Sequence, residues 1–214
     1  MKLYYSPGAC SLSPRIVAAE AGIDLQFVKV DTKTKTIAAD GDYWAVNLKG
    51  YVPALELDNG EVLTEGPAIV QYLADQKPAA KLAPPNGSWA RYRLQEALNY
   101  ITSEIHKSYS PLFNPKVSTE VRVERVEYLR RRYALLDQQL AGRKYLLGDQ
   151  FTVADAYLFV VTRWAAFLKI DLSDYANLQA FQQRVAARPA VQAAMREEGL
   201  IKAEQGDGRE AKVA

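Results

Sequence analysis

The sequence predicts an α/β domain followed by an all-helical domain. Over roughly the first 80 residues, strand and helix patterns follow one another in the order βαβ and then ββα. Residues 77–88 contain three prolines and one glycine without hydrophobic periodicity, which is typical of an interdomain linker. Beyond them, apolar residues recur every three or four positions, as in amphipathic helices. We therefore expect domains at residues 1–80 and 88–201 and a polar tail at 202–214.

A cysteine lies where the first predicted strand turns into a helix. Residues 3–5 favour a strand, residues 6–9 form a turn, and a helix with Pro14 in its first turn ends near Gly22. Free N–H groups and the helix dipole at such an N-terminus favour an anion, so we predict a lowered pKa for the Cys10 thiol. The alternative for a lone cysteine is a structural thiol in the core.

Alternation and turn signals predict the rest of the first domain. Residues 25–30 alternate as a strand does, and residues 31–41 read as a polar loop, with a short helix before Asn47. The Asn-Gly pair at 59–60 between two alternating runs is a strong hairpin signal. A helix is then predicted to open at residues 64–67.

Two apolar stripes predict the first helices of the second domain. The apolar positions are Leu94, Leu98, Ile101 and Ile105 in the first helix, and Val126, Leu129, Tyr133, Leu136 and Leu140 in the second. We interpret the arginines at 130–132 as a solvated face. Thr152 and Asp155 form a capping-box signature before residues 156–168, which are apolar almost all round and predict a central buried helix. Two shorter helices divided at Pro189 follow.

Composition and charge favour a soluble cytoplasmic protein. The 27 basic residues nearly balance the 25 acidic ones, so nothing favours binding to nucleic acid or to an anionic membrane. No apolar run approaches the ~18 residues of a membrane span, and no signal peptide is recognisable. A single cysteine excludes an internal disulfide, which fits a reducing compartment.

Three positions could hold a ligand beside Cys10. With no second cysteine in the chain, Cys10 can form a disulfide only with another molecule's sulfur, for which glutathione is the abundant cytoplasmic candidate. A trans bond is the common case before proline, but the element order and the upstream cysteine favour a cis bond at Pro53 that aims the Val52 backbone at Cys10. Glu65 is either a dipole complement or the acceptor for a ligand ammonium whose carboxylate binds the Gly66 N–H.

His106 is the only histidine, and helical spacing puts it on one face with Asn99 and Ser103, away from the apolar stripe. A surface histidine is the plain alternative. No metal site is expected, because one histidine and one distant cysteine lack ligand spacing. The residues that follow add polar and aromatic side chains, namely Lys107, Tyr109 and Phe113.

Together these residues resemble the glutathione transferases, specifically the bacterial beta class. The resemblance covers the chain to about residue 200, through MKLYYSPGACSLSP, GYVPALELDNG, LTEGPAIVQYLAD, EIHKSYSPLFNP and GDQFTVADAYLF. It implies a thioredoxin-like N-terminal domain, an all-helical C-terminal domain, a homodimer and glutathione as co-substrate. The sequence departs from many relatives at Arg15, where they have histidine, and at Leu48, where they have proline, so a second-histidine role is in doubt.

The resemblance also implies a set of site residues. The catalytic residues would be Cys10 and His106. The glutathione contacts would be Cys10, Lys35 for the glycine carboxylate, the Val52 backbone beside cis-Pro53, Glu65 and Gly66 for the γ-glutamyl group, and Asn99, Ser103, Glu104, Ile105 and His106 on the helical wall, part of which a partner subunit could supply. The electrophile pocket would be lined by Tyr5, Lys107, Tyr109, Phe113, Trp164 and Leu168. Ser11 is expected to be a helix cap or an auxiliary donor to the sulfur.

We therefore predict an enzyme that conjugates the glutathione thiolate to small hydrophobic electrophiles. One alternative is glutathione-dependent thiol–disulfide exchange or reductive dehalogenation through a mixed disulfide on Cys10. An alternative of another class is a non-catalytic glutathione-binding protein on the same scaffold, because a fold alone does not determine function.

Overall fold

A mixed six-stranded sheet forms the centre of the first domain. The computed structural model describes residues 1–37 and 41–202, so the predicted polar tail lies outside them apart from Lys202. The strands are β1 Lys2–Tyr5, β2 Gln26–Asp31, β3 Thr36–Ile37, β4 Gly41–Asp42, β5 Ala54–Glu56 and β6 Val62–Thr64. Their order is β4-β3-β2-β1-β5-β6, with β1 parallel to β2 and every other pair antiparallel.

Helices flank this sheet and make up the second domain. They are α1 Leu12–Ala21, α2 Gly66–Gln76, α3 Trp89–Tyr100, α4 Lys107–Tyr109, α5 Thr119–Leu140, α6 Val153–Thr162, α7 Trp164–Phe167, α8 Ala176–Ala186 and α9 Pro189–Glu197. A π-helical segment, Ile101–His106, joins α3 to α4, and 3₁₀ turns span Tyr43–Ala45, Pro78–Ala80 and Ser110–Phe113. The predicted fold class, an α/β domain followed by an all-helical domain, is confirmed. None of the described helices is both long and apolar enough to span a bilayer.

Local signals placed several elements correctly. Gly22 ends α1 with φ 64°, a left-handed conformation that glycine adopts without steric cost. The predicted hairpin joins β5 to β6, and the Leu57 N–H donates to the Glu61 carbonyl at 2.8 Å. The capping box before α6 is also present: Asp155 accepts from the backbone N–H of Thr152 at 2.8 Å and from its hydroxyl at 2.9 Å.

Three expectations about elements were wrong. The stretch predicted as a polar loop at 31–41 contains β3 and the start of β4, because strands of two residues are too short to show alternation. The helix predicted at 156–168 breaks at Arg163, and only the part in α6 is buried on all sides. The arginines at 130–132 are not simply solvated: Arg130 pairs with Asp174 at 2.6 Å, and Arg132 pairs with Glu104 at 2.8 Å.

One hydrophobic core runs through both domains. Helix α1 packs against α2 in its own domain and against α6 and α9 of the helical domain. The connection between the domains is fastened at two points. Arg91 at the start of α3 forms two bonds to Asp75 of α2, at 2.8 and 2.7 Å, and the Leu82 carbonyl accepts from the Val153 N–H at 2.9 Å. These contacts fix the position of the helical domain relative to the first domain.

Candidate active site

The turn before Cys10 is held by a buried serine. The Ser11 hydroxyl donates to the Ser6 carbonyl at 3.2 Å and accepts from the Ser6 N–H at 3.1 Å. Ser11 makes no side-chain cap to α1, so the expectation that it caps the helix is wrong. Its hydroxyl is engaged on both sides and closes the turn that carries the cysteine.

Cys10 is partly exposed, and its thiol donates to the Val52 carbonyl at 3.3 Å. Burial of the sulfur raises its pKa to about 12, although the N–H groups of Cys10 and Ser11 lower it; the charge of Glu65 raises it further. The helix N-terminus thus acts in the predicted direction. The prediction of a lowered pKa is nevertheless wrong, because desolvation of the anion outweighs the backbone donors.

The peptide bond before Pro53 is cis, as predicted. Gly66 opens α2 directly beside this proline, since a Cβ added at Gly66 would lie 3.9 Å from Pro53 Cγ. Glu65 precedes it with φ 69°, an uncommon value for a residue with a side chain, and its carbonyl accepts from two N–H groups of the first helical turn, each at 3.0 Å. The exposed Glu65 carboxylate therefore projects from a fixed backbone.

One lysine contacts this carboxylate, and a second contacts the carbonyl of Gly50 beside the first. Lys35, in a left-handed conformation, donates from Nζ to the Gly50 carbonyl at 2.7 Å. Lys49, the residue before Gly50, donates to Glu65 Oε1 at 2.6 Å and to Thr64 Oγ1 at 2.9 Å. No sequence signal predicts a role for Lys49, because one lysine in a polar loop forms no pattern.

The helical wall faces the site through the π-helical segment Ile101–His106. Asn99 and Ser103 are exposed, whereas His106 is partly buried, so these three residues do not form the single open polar face that was predicted. Ile105 is fully buried and could contact a ligand only through its backbone. The Glu104 carboxylate accepts from the Tyr128 hydroxyl and pairs with Arg132 within the same chain.

His106 is built into an aromatic cluster. Its Nδ1 is 2.5 Å from the Tyr157 hydroxyl, and its ring centroid is 4.9 Å from that of Trp164. Burial lowers the pKa of His106 to about 4, and the neighbouring Lys107 cation lowers it further while Glu65 opposes the change. The imidazole is consequently neutral at pH 7. Tyr157 was not predicted as a site residue.

Trp164 is also the centre of an aromatic wall. Its ring lies 5.6 Å from Tyr109 and 5.4 Å from Phe113, and Phe113 lies 6.4 Å from Phe167. Tyr109 is fully buried with its hydroxyl on Tyr133, so it supports the wall from behind. Phe113 is 45% exposed and Phe167, which was not predicted, is 77% exposed.

The indole of Trp164 connects this wall to the cysteine. Its Nε1–H donates to the Gly8 carbonyl at 3.0 Å, two residues before Cys10. The Glu198 carboxylate accepts from the Gly8 N–H at 2.9 Å. The helical domain thus holds both the N–H and the carbonyl of Gly8 in the turn before Cys10. Trp164, which makes one of these bonds, also packs against His106.

Comparison with known proteins identifies the family of this chain. A model described as the glutathione S-transferase N-terminal domain matches residues 8–76, and one described as the C-terminal domain matches residues 100–189. Glutathione S-transferase GstA of Escherichia coli O157:H7 is 46% identical over 200 residues, which cover 94% of this chain and 100% of GstA. The chain belongs to the glutathione S-transferase family. It is therefore an enzyme of the glutathione transferase type.

Comparison with solved structures supports a particular class within this family. A sphingomonad glutathione S-transferase in complex with glutathione is 48% identical, with a TM-score of 0.90 over 94% of this chain and 100% of that chain. A bacterial beta class transferase of Sphingomonas chungbukensis is 47% identical, with a TM-score of 0.91 and the same coverage of 94% and 100%. The resemblance to the beta class and the thioredoxin-like first domain are confirmed.

The remaining residues predicted for the electrophile pocket of this transferase differ in exposure and contacts. Tyr5 is partly exposed, but its ring stacks on Arg15 at 4.5 Å and lies 6.1 Å from Phe27, away from the aromatic wall. Leu168 is half-buried and its carbonyl accepts from Arg122 at 2.6 Å. Lys107 is exposed at the end of the π-helical segment.

The departure at Arg15 gives this transferase a buried ion pair. The guanidinium is buried between the rings of Tyr5 and Phe27 and bonds Glu197 at 3.0 Å. It also lies 3.4 Å from Glu198. Burial raises the pKa of Glu198 to about 7, although its bond from Gly8 and the charge of Arg15 lower it. The arginine therefore supports the carboxylate that holds the cysteine turn.

A large cavity lies away from this site. Its volume is about 1060 Å³, and it is lined by the end of α2, the interdomain connection, α3 and the end of α5. Trp89 and Leu135 border it with exposed apolar surface. None of the predicted site residues lines this cavity. Within residues 1–37 and 41–202, no group of three or more His, Cys, Asp or Glu side chains could hold a metal ion, and the expectation of a metal-free enzyme stays a prediction.

Proposed function

We propose that this transferase binds glutathione between Cys10 and the start of α2 and conjugates its thiolate to a small hydrophobic electrophile. The observation that carries the proposal is the Trp164 indole. It bonds to the Gly8 carbonyl at 3.0 Å and stacks edge-on against His106 at 4.9 Å, so the sulfur position and the imidazole share one support. Holding two reactants in one geometry is a large part of such catalysis.

Each part of glutathione has a complementary group in the proposed complex. Glu65 accepts from the γ-glutamyl ammonium and Gly66 donates its N–H to the α-carboxylate. The Val52 backbone bonds the cysteinyl residue, and Lys35 binds the glycine carboxylate. Cys10 lies beside the glutathione sulfur, where the N–H groups at the start of α1 favour a negative charge.

His106 would act on the sulfur as a neutral donor. Burial raises the pKa of Tyr157, so its hydroxyl keeps its proton and can donate to His106 Nδ1. That tautomer puts the imidazole proton on Nε2, which can then donate to the glutathione thiolate. A positioned donor stabilises the anion before it attacks the electrophile.

The electrophile would lie against the exposed part of the aromatic wall. Phe113 and Trp164 offer flat apolar surface next to the sulfur position, and Leu168 and Lys107 lie at its border. Tyr109 stiffens the wall from behind, and Tyr5 flanks the cysteine strand. The physiological electrophile is thus of the small, aromatic or apolar class.

Thiol–disulfide exchange through Cys10 is the second candidate. In that reaction the Cys10 thiolate attacks oxidised glutathione, a mixed disulfide forms, and one glutathione thiolate leaves. Cys10 is partly exposed, which favours this candidate. The raised pKa of Cys10 opposes it and favours conjugation.

We further propose a cytoplasmic homodimer with domains at 1–80 and 88–201. The exposed Trp89 and Tyr92 on α3, together with the exposed Tyr51 before β5, supply apolar surface for a second copy. In that dimer, Asn99, Ser103 and the backbone near Glu104 and Ile105 would lie close to the partner's glutathione. Light scattering at micromolar concentration should give twice the chain mass.

The decisive experiment combines calorimetry with a conjugation assay. We expect glutathione to bind at millimolar concentration or below and to raise the melting temperature by mass action. A chlorinated nitroaromatic should be conjugated by the same preparation. Absence of glutathione binding would refute the proposed function, and binding without conjugation or exchange would favour a non-catalytic binding protein.

A further inference from the structure

Lys49 neutralises Glu65 in the free protein. Its Nζ lies 2.6 Å from Glu65 Oε1 and 2.9 Å from Thr64 Oγ1. The two side chains are 52% and 64% exposed. An ion pair this exposed contributes little to stability, because water screens it and two long side chains must be ordered. The pair can therefore open at small cost when another charged group arrives.

The charged groups around Glu65 are complementary in sign to those of glutathione. Lys49 directly precedes Gly50 and pairs with Glu65, and the Gly50 carbonyl accepts from Lys35 Nζ at 2.7 Å. The site thus presents two cations and one anion. At neutral pH, glutathione carries two carboxylates and one ammonium, which is the complementary set. With Lys35 assigned to the glycine carboxylate, one cation of the site is left for the other carboxylate.

The geometry of Glu65 determines where that carboxylate lies. Its backbone is fixed at φ 69° by two N–H bonds from the first turn of α2. In an α-amino acid, the ammonium and the carboxylate share one carbon atom, so a ligand whose ammonium binds Glu65 brings its carboxylate within reach of Lys49. A flexible four-carbon stem with three donors can follow this change of partner.

We propose that Lys49 is a glutathione-binding residue that exchanges partners: it pairs with Glu65 in the free protein and with the γ-glutamyl α-carboxylate in the complex. The proposal rests on the proposed function, and it adds a residue to that site. It also explains why an exposed glutamate at a ligand site has a cation already in place. The lysine stands in for the ligand's ammonium and then becomes a partner of the ligand's carboxylate.

Two ligands separate this role from simple competition. Glutathione carries both the ammonium and the α-carboxylate. Its decarboxylated analogue, 4-aminobutanoyl-cysteinyl-glycine, keeps the ammonium and lacks the α-carboxylate. In Lys49→Met, we expect glutathione to bind about tenfold more weakly, because one charge-assisted contact is lost. The analogue should bind equally or more tightly, because Glu65 no longer has a competing cation.

Lys77→Met is the matched control, because it removes the same charge from an exposed position at the other end of α2, about 16 Å along the helix axis. It should leave the affinity for both ligands unchanged. Melting curves of the free proteins should show that both variants are folded. Calorimetry with each ligand gives the dissociation constants.

The outcomes are distinguishable. Wild-type or tighter binding of glutathione by Lys49→Met would overturn the inference and leave the proposed function standing. Equal weakening for both ligands would also overturn it, since Lys49 would then only support the loop. Wild-type protein that binds neither ligand would refute the proposed function and the inference with it.

Discussion

Replacing Tyr157 with phenylalanine should separate the chemistry of His106 from its packing. The hydroxyl lies 2.5 Å from His106 Nδ1, and Tyr157 is almost fully buried. Its removal leaves a buried ring nitrogen without a partner, which costs about 1–3 kcal/mol of unfolding free energy. A positioned proton donor contributes on the order of 10²–10⁴-fold to rate. Loss of the Tyr157 hydroxyl, which orients His106, should therefore lower kcat by about tenfold to hundredfold.

The predicted signature is a fall in kcat with little change in KM for glutathione, because Tyr157 orients a catalytic group and does not touch the γ-glutamyl side of the site. Steady-state conjugation of a chlorinated nitroaromatic across pH 5–9 gives both constants, and urea unfolding gives the stability. His106→Ala should lower kcat at least as much as Tyr157→Phe.

Tyr133→Phe is the matched control for this experiment. It also removes one buried hydroxyl, which is 2.9 Å from that of Tyr109 behind the aromatic wall. The stability cost should be similar, yet kcat should stay within about twofold of wild type, because neither hydroxyl reaches His106. Equal kcat in the two tyrosine variants would refute the assignment of Tyr157 as the orienting partner.

Three further predictions test other parts of the site. Glu65→Ala should weaken glutathione binding more than Lys35→Ala in calorimetry, since Glu65 projects from a fixed backbone; the reverse order would contradict the assignment of the ammonium. Cys10→Ala should abolish mixed-disulfide formation, measured by mass after oxidised glutathione, while conjugation survives in part. Asp155→Ala should lower the unfolding free energy by about 3–5 kcal/mol in urea, because it leaves buried donors of Leu146 and Thr152 unpaired; a loss below 1 kcal/mol would argue against the capping box.

Much of this fold could be predicted because its signals are local. The hairpin at 59–60 follows from Asn-Gly between alternating runs, and the left-handed end of α1 follows from Gly22. The start of α2 at Gly66 agrees with the helix predicted to open at residues 64–67. By contrast, the π-helical segment Ile101–His106 has no local signal, and the break at Arg163 interrupts an apolar run whose composition favours one long helix.

The missed site residues depend on contacts that are distant in the sequence. Tyr157 lies in a helix that is apolar all round, so its pattern predicts core, and its hydroxyl meets a ring 51 residues earlier. Lys49 is recognisable as a site residue only through its contact with Glu65, which lies 16 residues later in the chain, after β6. Phe167 became an exposed wall residue only because the helix breaks at Arg163.

The protonation of Cys10 shows how a correct local argument can be overruled. Burial raises the pKa of the Cys10 thiol well above its ordinary value, so this thiol is protonated at pH 7. Exchange chemistry needs the Cys10 thiolate and is disfavoured accordingly. Conjugation needs the opposite, because a second thiolate beside the glutathione sulfur would repel it, whereas a protonated Cys10 can donate its S–H to that anion. The desolvation that contradicts the prediction from the helix dipole is therefore the feature that suits Cys10 to the proposed reaction.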